Sequence, residues 1–146
     1  MSLPKLVGIN HIALEVGDIK QALKFYGNLF AFELRGKTAH AAFIDMGDQF
    51  LALSETDGTS EDSHRHFGLV VDYKDRVRTI LEQNGVEILP GPSLDFRDLW
   101  GNRIQVVDYK DVQFTKSPEI FNAMGFEKLE KSEQALAELK KKGLIK

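Results

Sequence analysis

The chain has 146 residues, a formal net charge of −3 and no cysteine. That length suits one domain that buries its core without staples, and the missing cysteine excludes a disulfide scaffold, a thiolate metal site and a cysteine nucleophile. The 19 basic residues are dispersed except for Lys140-Lys141-Lys142, so the concentrated basic face of a nucleic-acid-binding protein is missing. No apolar run approaches the roughly 20 residues of a membrane span, and Met1-Ser2-Leu3-Pro4-Lys5 lacks the apolar region of a secretory signal. The expectation is a cytoplasmic protein whose partner is a small molecule, with neither nucleic acid nor membrane involved.

In residues 9–16, Ile12, Leu14 and Val16 alternate with His11, Ala13 and Glu15, the pattern of a half-buried strand with two unlike faces. Asp18 offers an N-cap with Gln21 three places on. Ile19, Ala22, Leu23, Tyr26, Leu29 and Phe30 then recur at helical spacing. Three short strands follow near 31–36, 39–45 and 49–54, the last two joined by a turn at Gly47-Asp48. The polar, breaker-rich stretch from Thr56 to Ser63 reads as a linker.

The pattern then restarts. His66 to Val71 is a strand, 73–83 a helix on Val77, Ile80 and Leu81, and Asn84-Gly85 its stop. Val86 to Leu89 is a strand, Pro90-Gly91-Pro92 a loop, and 94–97 with 103–108 a hairpin. This is an internal repeat of long period. His11-Ile12-Ala13-Leu14 lines up with His66-Phe67-Gly68-Leu69 at an offset of 55 residues, and Phe43-Ile44-Asp45-Met46 with Phe96-Arg97-Asp98-Leu99 at an offset of 53. The tail lies outside the repeat. Ser117-Pro118 opens one short helix. Ser132 opens a second, on Ala135, Leu136 and Leu139, whose C-terminal lysines complement the helix dipole and whose stop is Gly143.

Several words of the repeat carry a resemblance: Ile9-Asn10-His11-Ile12-Ala13-Leu14, Ala22-Leu23-Lys24-Phe25-Tyr26, Phe32-Glu33-Leu34, Asn84-Gly85-Val86, and Asp98-Leu99-Trp100-Gly101-Asn102-Arg103-Ile104-Gln105. They resemble the vicinal oxygen chelate superfamily of glyoxalases, bleomycin-resistance proteins and dioxygenases, over roughly residues 8–109. The resemblance implies an α+β fold: two βαβββ modules forming a cup-shaped mixed sheet, helices outside, and here a short helical C-terminal tail. Module one covers about 8–56, the linker 57–63, module two about 64–109 and the tail 110–146 of a single domain. Close relatives pair, so a homodimer is expected.

The resemblance also implies a divalent ion in the cup. Carried over by position, its ligands are His11, His66 and Gln105, the last standing where the family has glutamate; Ala52 occupies the equivalent position in the first module. Two imidazoles and a neutral amide suit Zn²⁺, Ni²⁺, Fe²⁺ or Mn²⁺ poorly compensated in charge. Strand alternation places Glu15, Asp95, Arg97, Arg103 and Phe50 on the cup wall, and the offset of 53 maps His40 and Ala42 there as well. Asp95 is the candidate general base or the missing carboxylate ligand, or pairs with Arg97. Arg97, Arg103, His40 and Phe50 are candidate substrate contacts, the guanidiniums for a carboxylate or phosphate. Trp100 faces a ligand or a partner chain.

Two functions fit. One is a metal-assisted lyase, isomerase or transferase on a small oxygenated metabolite, the ion polarising a carbonyl. The other is a metal-free protein that sequesters a small molecule in the same cup, as the loss of both glutamates suggests. Glyoxalase I and extradiol dioxygenase chemistries need the missing carboxylates.

Overall fold

The computed structural model describes residues 9–146; the module start at Gly8 and the N-terminal residues read above for a signal lie outside the described residues. The first module is β1 (His11–Val16), α1 (Ile19–Leu29), β2 (Leu34–Lys37), β3 (Ala41–Asp45) and β4 (Phe50–Glu55). The second is β5 (Phe67–Val71), α2 (Lys74–Gln83), β6 (Leu94–Arg97) and β7 (Arg103–Asp108). A 3-10 turn at Tyr109–Asp111 leads to α3 (Pro118–Ala123) and α4 (Glu133–Lys141). No helix among the described residues is long and apolar enough to cross a membrane.

The helices begin where the capping residues fall. The Asp18 carboxylate accepts from the Gln21 amide at 2.7 Å, Ser117 from Ile120 at 3.3 Å and Ser132 from Ala135 at 3.2 Å, each satisfying an amide the helix leaves orphaned. Ile19, Ala22, Tyr26 and Leu29 form the buried stripe of α1.

The α+β class and the two-module order follow the expectation. The strands, however, form two separate mixed sheets, ordered β1-β4-β3-β2 and β5-β7-β6, with β1 and β5 as edge strands. In each sheet the first strand runs parallel to the last: Ala13 lies opposite Ala52, and Gly68 opposite Gln105. Ala52 and Gln105 thus occupy equivalent places in the two modules. The second module lacks a full strand at 86–89. Only one bridge forms there, between Ile88 and Phe96, because Pro90 and Pro92 follow at once and proline donates nothing to a ladder.

One apolar core serves both modules. Leu14, Val16, Leu51 and Leu53 from the first sheet join Leu94, Phe96, Ile104 and Val106 from the second, together with α1 and α2. Alternate residues turn away from that core.

The turn between β6 and β7 locks the modules together. The buried Asp98 carboxylate accepts four hydrogen bonds: Trp100 N at 2.9 Å, Asn102 N at 3.0 Å, Asn102 Nδ2 at 2.8 Å and the Tyr26 hydroxyl at 2.8 Å. Asn102 Nδ2 also donates to the Glu15 carbonyl at 2.7 Å. The turn needs Gly101, whose φ is +88° and where a Cβ would strike the Glu61 backbone. Trp100 packs over Gly17, where a Cβ would collide with the indole. The tryptophan therefore contacts its own chain, because the Asp98 turn swings it across β1.

Burial, then the charge of Asp98 and the bond to it, hold the Tyr26 hydroxyl well above its ordinary value of 10.0. A raised folded value favours the neutral hydroxyl. Its contribution is therefore complete below about pH 10 and is lost as pH rises through the folded value. Tyr26→Phe should cost about 1–2 kcal/mol at pH 7 in urea denaturation. The gap between variant and parent should narrow above about pH 10, where only the parent's unfolded state gains from ionising Tyr26.

Candidate functional site

On the first sheet, the strand end at His11 forms one compact group. Parallel pairing sets His11 opposite Phe50, and their rings stack with centroids 4.7 Å apart and planes 6° from parallel. Phe43 meets Phe50 edge-on at 6.0 Å, and the Arg35 guanidinium lies 4.7 Å from the centre of the Phe50 ring. Arg35 is held by the Gly47 carbonyl at 3.0 Å and Asp45 at 3.6 Å. Asn10 Oδ1 lies 2.9 Å from His11 Nδ1. With the amide oxygen facing it, Nδ1 is the donor, which in the neutral ring leaves Nε2 its lone pair.

His66 stands just before β5 and is exposed. Its Nδ1 lies 2.8 Å from the His64 carbonyl oxygen, which selects the same tautomer. The two repeat-equivalent histidines thus share one arrangement, a carbonyl on Nδ1 and a free Nε2. Gln105 is half-buried on β7, opposite both Gly68 and Asp95. No group of three His, Cys, Asp or Glu side chains placed to hold an ion occurs among the described residues.

Asp95, Arg97 and Arg103 do come together, but in a different pairing from the one expected. Asp95 is only 3% exposed. Its Oδ1 accepts from Ser93 Oγ at 2.7 Å, and its Oδ2 from Arg103 Nε at 2.9 Å and Nη2 at 2.7 Å. Arg97 instead donates to the Asp62 carbonyl at 2.8 Å and pairs with Glu61 at 3.3 Å. The reason is direction: Arg103 reaches across the hairpin to Asp95, while Arg97, on the same strand as Asp95, extends toward the linker.

That linker is a participant that sequence reasoning passed over. Arg103 Nη1 also donates to the Ser63 carbonyl, and Asp62 N donates to the Gly101 carbonyl at 2.8 Å. Both guanidiniums are thus engaged by residues 61–63. The acidic pair Glu61-Asp62, set between Ser60 and Ser63, was the available signal. Arg35 carried none, because its place over Phe50 depends on the register shift between Leu34 and Gly36.

His40 and Ala42 do not stand on the wall with these residues. Strand pairing sets Phe43, not Ala42, opposite Ala52, as Asp95 is set opposite Gln105. The true offset there is one residue shorter than the Phe43/Phe96 match implies, and a one-residue slip exchanges the faces of a strand. Ala42 is accordingly in the core, with no exposure. His40 lies in the β2–β3 turn, its side chain 80% exposed and 3.2 Å from Glu55. Val16 and Glu55 mark that end of the sheet and His11 and Phe50 the other, about 16 Å away at ~3.3 Å per residue. Glu55 also accepts from the Ile19 amide at 3.1 Å, which ties it to the start of α1.

The ion pair and the linker clamp make unequal demands. Arg103→Met leaves the buried Asp95 carboxylate without its cation and should cost about 3 kcal/mol or more in chemical denaturation. Arg97→Met breaks a contact with an exposed glutamate and a linker carbonyl and should cost about 1 kcal/mol. Both should speed proteolytic cleavage within residues 57–63.

Comparison with known proteins places this geometry. The family model for the Glyoxalase/Bleomycin resistance protein/Dioxygenase superfamily matches residues 8–113. Metallothiol transferase FosB of Lysinibacillus sphaericus (strain C3-41) is 33% identical over 96 residues, which cover 62% of this chain and 68% of FosB. Two solved structures share the fold. The integron cassette protein VCH_CASS1 from the V. cholerae mobile metagenome superposes with a TM-score of 0.59 at 24% identity, over 74% of this chain and 99% of its own. A variant of the fosfomycin resistance protein FosX from Listeria monocytogenes, complexed with Mn(II) and 1S,2S-dihydroxypropylphosphonic acid, gives 0.60 at 21% identity, over 70% and 90%. The chain belongs to the glyoxalase/bleomycin resistance protein/dioxygenase superfamily.

Proposed function

We propose that this protein is a metal-assisted lyase, isomerase or transferase acting on a small oxygenated metabolite, with a divalent ion held by His11, His66 and Gln105. The observation that carries the reading is the shared surroundings of Nδ1 in the two histidines. Each has Nδ1 on a carbonyl oxygen, at 2.9 Å for His11 and 2.8 Å for His66, the outer-shell arrangement that orients a metal-ligating imidazole and leaves Nε2 to coordinate. The name of FosB as a metallothiol transferase and the Mn(II) in the FosX complex support it.

The donor set fits an ion of borderline softness, Zn²⁺, Ni²⁺ or Fe²⁺, better than Mg²⁺, and Mn²⁺ less well for want of a carboxylate. When bound, such an ion supplies Lewis-acid polarisation of a substrate oxygen. The chain's own residues do the rest. Phe50 fixes the His11 ring by stacking. Asp95 positions Arg103, and Arg103 and Arg97 receive an anionic group such as a carboxylate or phosphonate when residues 61–63 yield. His40, at the far end of the sheet on Glu55, has no part in this reading.

The protein works in this proposal as a cytoplasmic homodimer. The open outer edges of β1 and β5, and cup-side residues that turn away from the chain's own core, support completion of the cup by a second copy. Light scattering at micromolar concentration should give twice the chain mass of 16.5 kDa; a monomer would count against the shared cup.

A second reading has its own support. Ala52 and Gln105 fill the two equivalent strand positions, so neither module contributes a carboxylate there, and a metal-free protein could sequester a small molecule in the same cup. Calorimetric titration with Zn²⁺ separates the two. The parent should bind weakly, and Gln105→Glu should bind more than tenfold tighter, about 1.4 kcal/mol. His11→Ala in the Gln105→Glu background should cancel that gain. Absence of binding by both the parent and Gln105→Glu would leave the sequestering protein as the account.

A further inference from the structure

A cavity of about 590 Å³ lies between the two sheets, its wall including the whole of β5. None of His66, Asp95, Arg97, Arg103 and Gln105 lines it, while His11, Asn10 and Phe50 form one part of its wall. Its walls are apolar, with Leu51 and Leu69 from the two sheets and Phe30 beyond the end of α1. Its volume is that of a small-molecule site, roughly 300–1,000 Å³.

The tail roofs this cavity, and most of the tail lies beyond the family match that ends at residue 113. Phe121, Met124 and Phe126 form the roof. Phe121 meets Tyr109 edge-on at 5.0 Å and Phe126 at 5.8 Å. Lys131 ties the roof down: its Nζ donates to the carbonyls of Tyr109 at 2.5 Å, Val112 at 2.6 Å and Phe114 at 2.5 Å, and sits 3.5 Å over the Tyr109 ring. The roof is therefore a built part of the fold with apolar, adaptable side chains on its inner side.

The charged groups at the mouth are Asp45, Asp72, Arg76 and Lys116. Asp45 faces Arg35 and Lys116 is paired with Asp48. Arg76 lies 5.5 Å over the Tyr73 ring and has no ion-pair or hydrogen-bond partner among the described residues. We propose that the cavity binds a small amphipathic carboxylate, its hydrocarbon body under the tail and its carboxylate on the Arg76 guanidinium, whose flat fork matches a carboxylate bidentately. Asp72 is the competing charge beside it, and decides the sign test below. This site shares the His11 and Phe50 side chains with the metal reading but needs no ion.

The test is titration of the full-length protein with decanoate below its micellar concentration, read by calorimetry, with decylamine as the matched cation. Saturable one-to-one binding of decanoate is expected, with decylamine at least about tenfold weaker. Arg76→Gln should weaken decanoate by about tenfold, the worth of one charge-assisted contact. Leu69→Trp, which fills the cavity, should abolish binding; Met124→Trp fills it from the exposed roof and serves if the first variant fails to fold. No saturable binding by the parent, equal binding of decylamine, or undiminished binding by a folded cavity-filling variant would overturn the proposal.

Discussion

The buried Asp98 carboxylate is the constraint on which the rest of the structure depends. A carboxylate this far from water is stable only when its lone pairs are filled, and four donors fill them: Tyr26 from α1 and three groups of its own turn. The same Asn102 amide reaches the edge of β1 through Glu15. The turn thus fixes where α1, β1 and the β6–β7 hairpin stand relative to one another. Arg103 and Gln105 follow directly from that turn along β7, so the placement of the candidate site in the second module is inherited from a structural hydrogen-bond hub.

Much of this was legible in the sequence because it is local. The alternation of Ile12, Leu14 and Val16 against His11, Ala13 and Glu15, the caps at Asp18, Ser117 and Ser132, and the strand-and-helix order of the two modules need only near neighbours in the chain. What failed needed long-range pairing. The Phe43/Phe96 word match is one residue out of step with the hydrogen-bonded register, and that slip put Ala42 and His40 on the wrong side. Arg97 seemed the natural partner of Asp95 by proximity in sequence, yet the cross-strand reach of Arg103 wins. The linker at 57–63 looked bland because its role, clamping two guanidiniums, is invisible without the fold.

The site that results is well supported and poor in charge. His11 is held on one side by Phe50 and on the other by Asn10, and His66 by the His64 carbonyl, so each imidazole is oriented before any ion arrives. Yet Ala52 and Gln105 contribute no negative charge, and the nearby carboxylate Asp95 is committed to Arg103 and Ser93. In the proposed reading an ion is held here through geometry more than through charge, with the Gln105 amide as its third donor. The two arginines, held by Glu61, Asp62 and Ser63, are available to an anion only in competition with the linker.

The most direct measurement of this account is the tautomer of the imidazoles. Long-range ¹H–¹⁵N correlation spectra of uniformly labelled protein at about pH 8, where histidine is largely neutral, distinguish Nδ1–H from Nε2–H in each of the four histidines. His11 and His66 should both be Nδ1–H, and their Nε2 resonances should be the first to shift as Zn²⁺ is added. Nε2–H tautomers at both positions, with resonances unmoved by Zn²⁺, would contradict it.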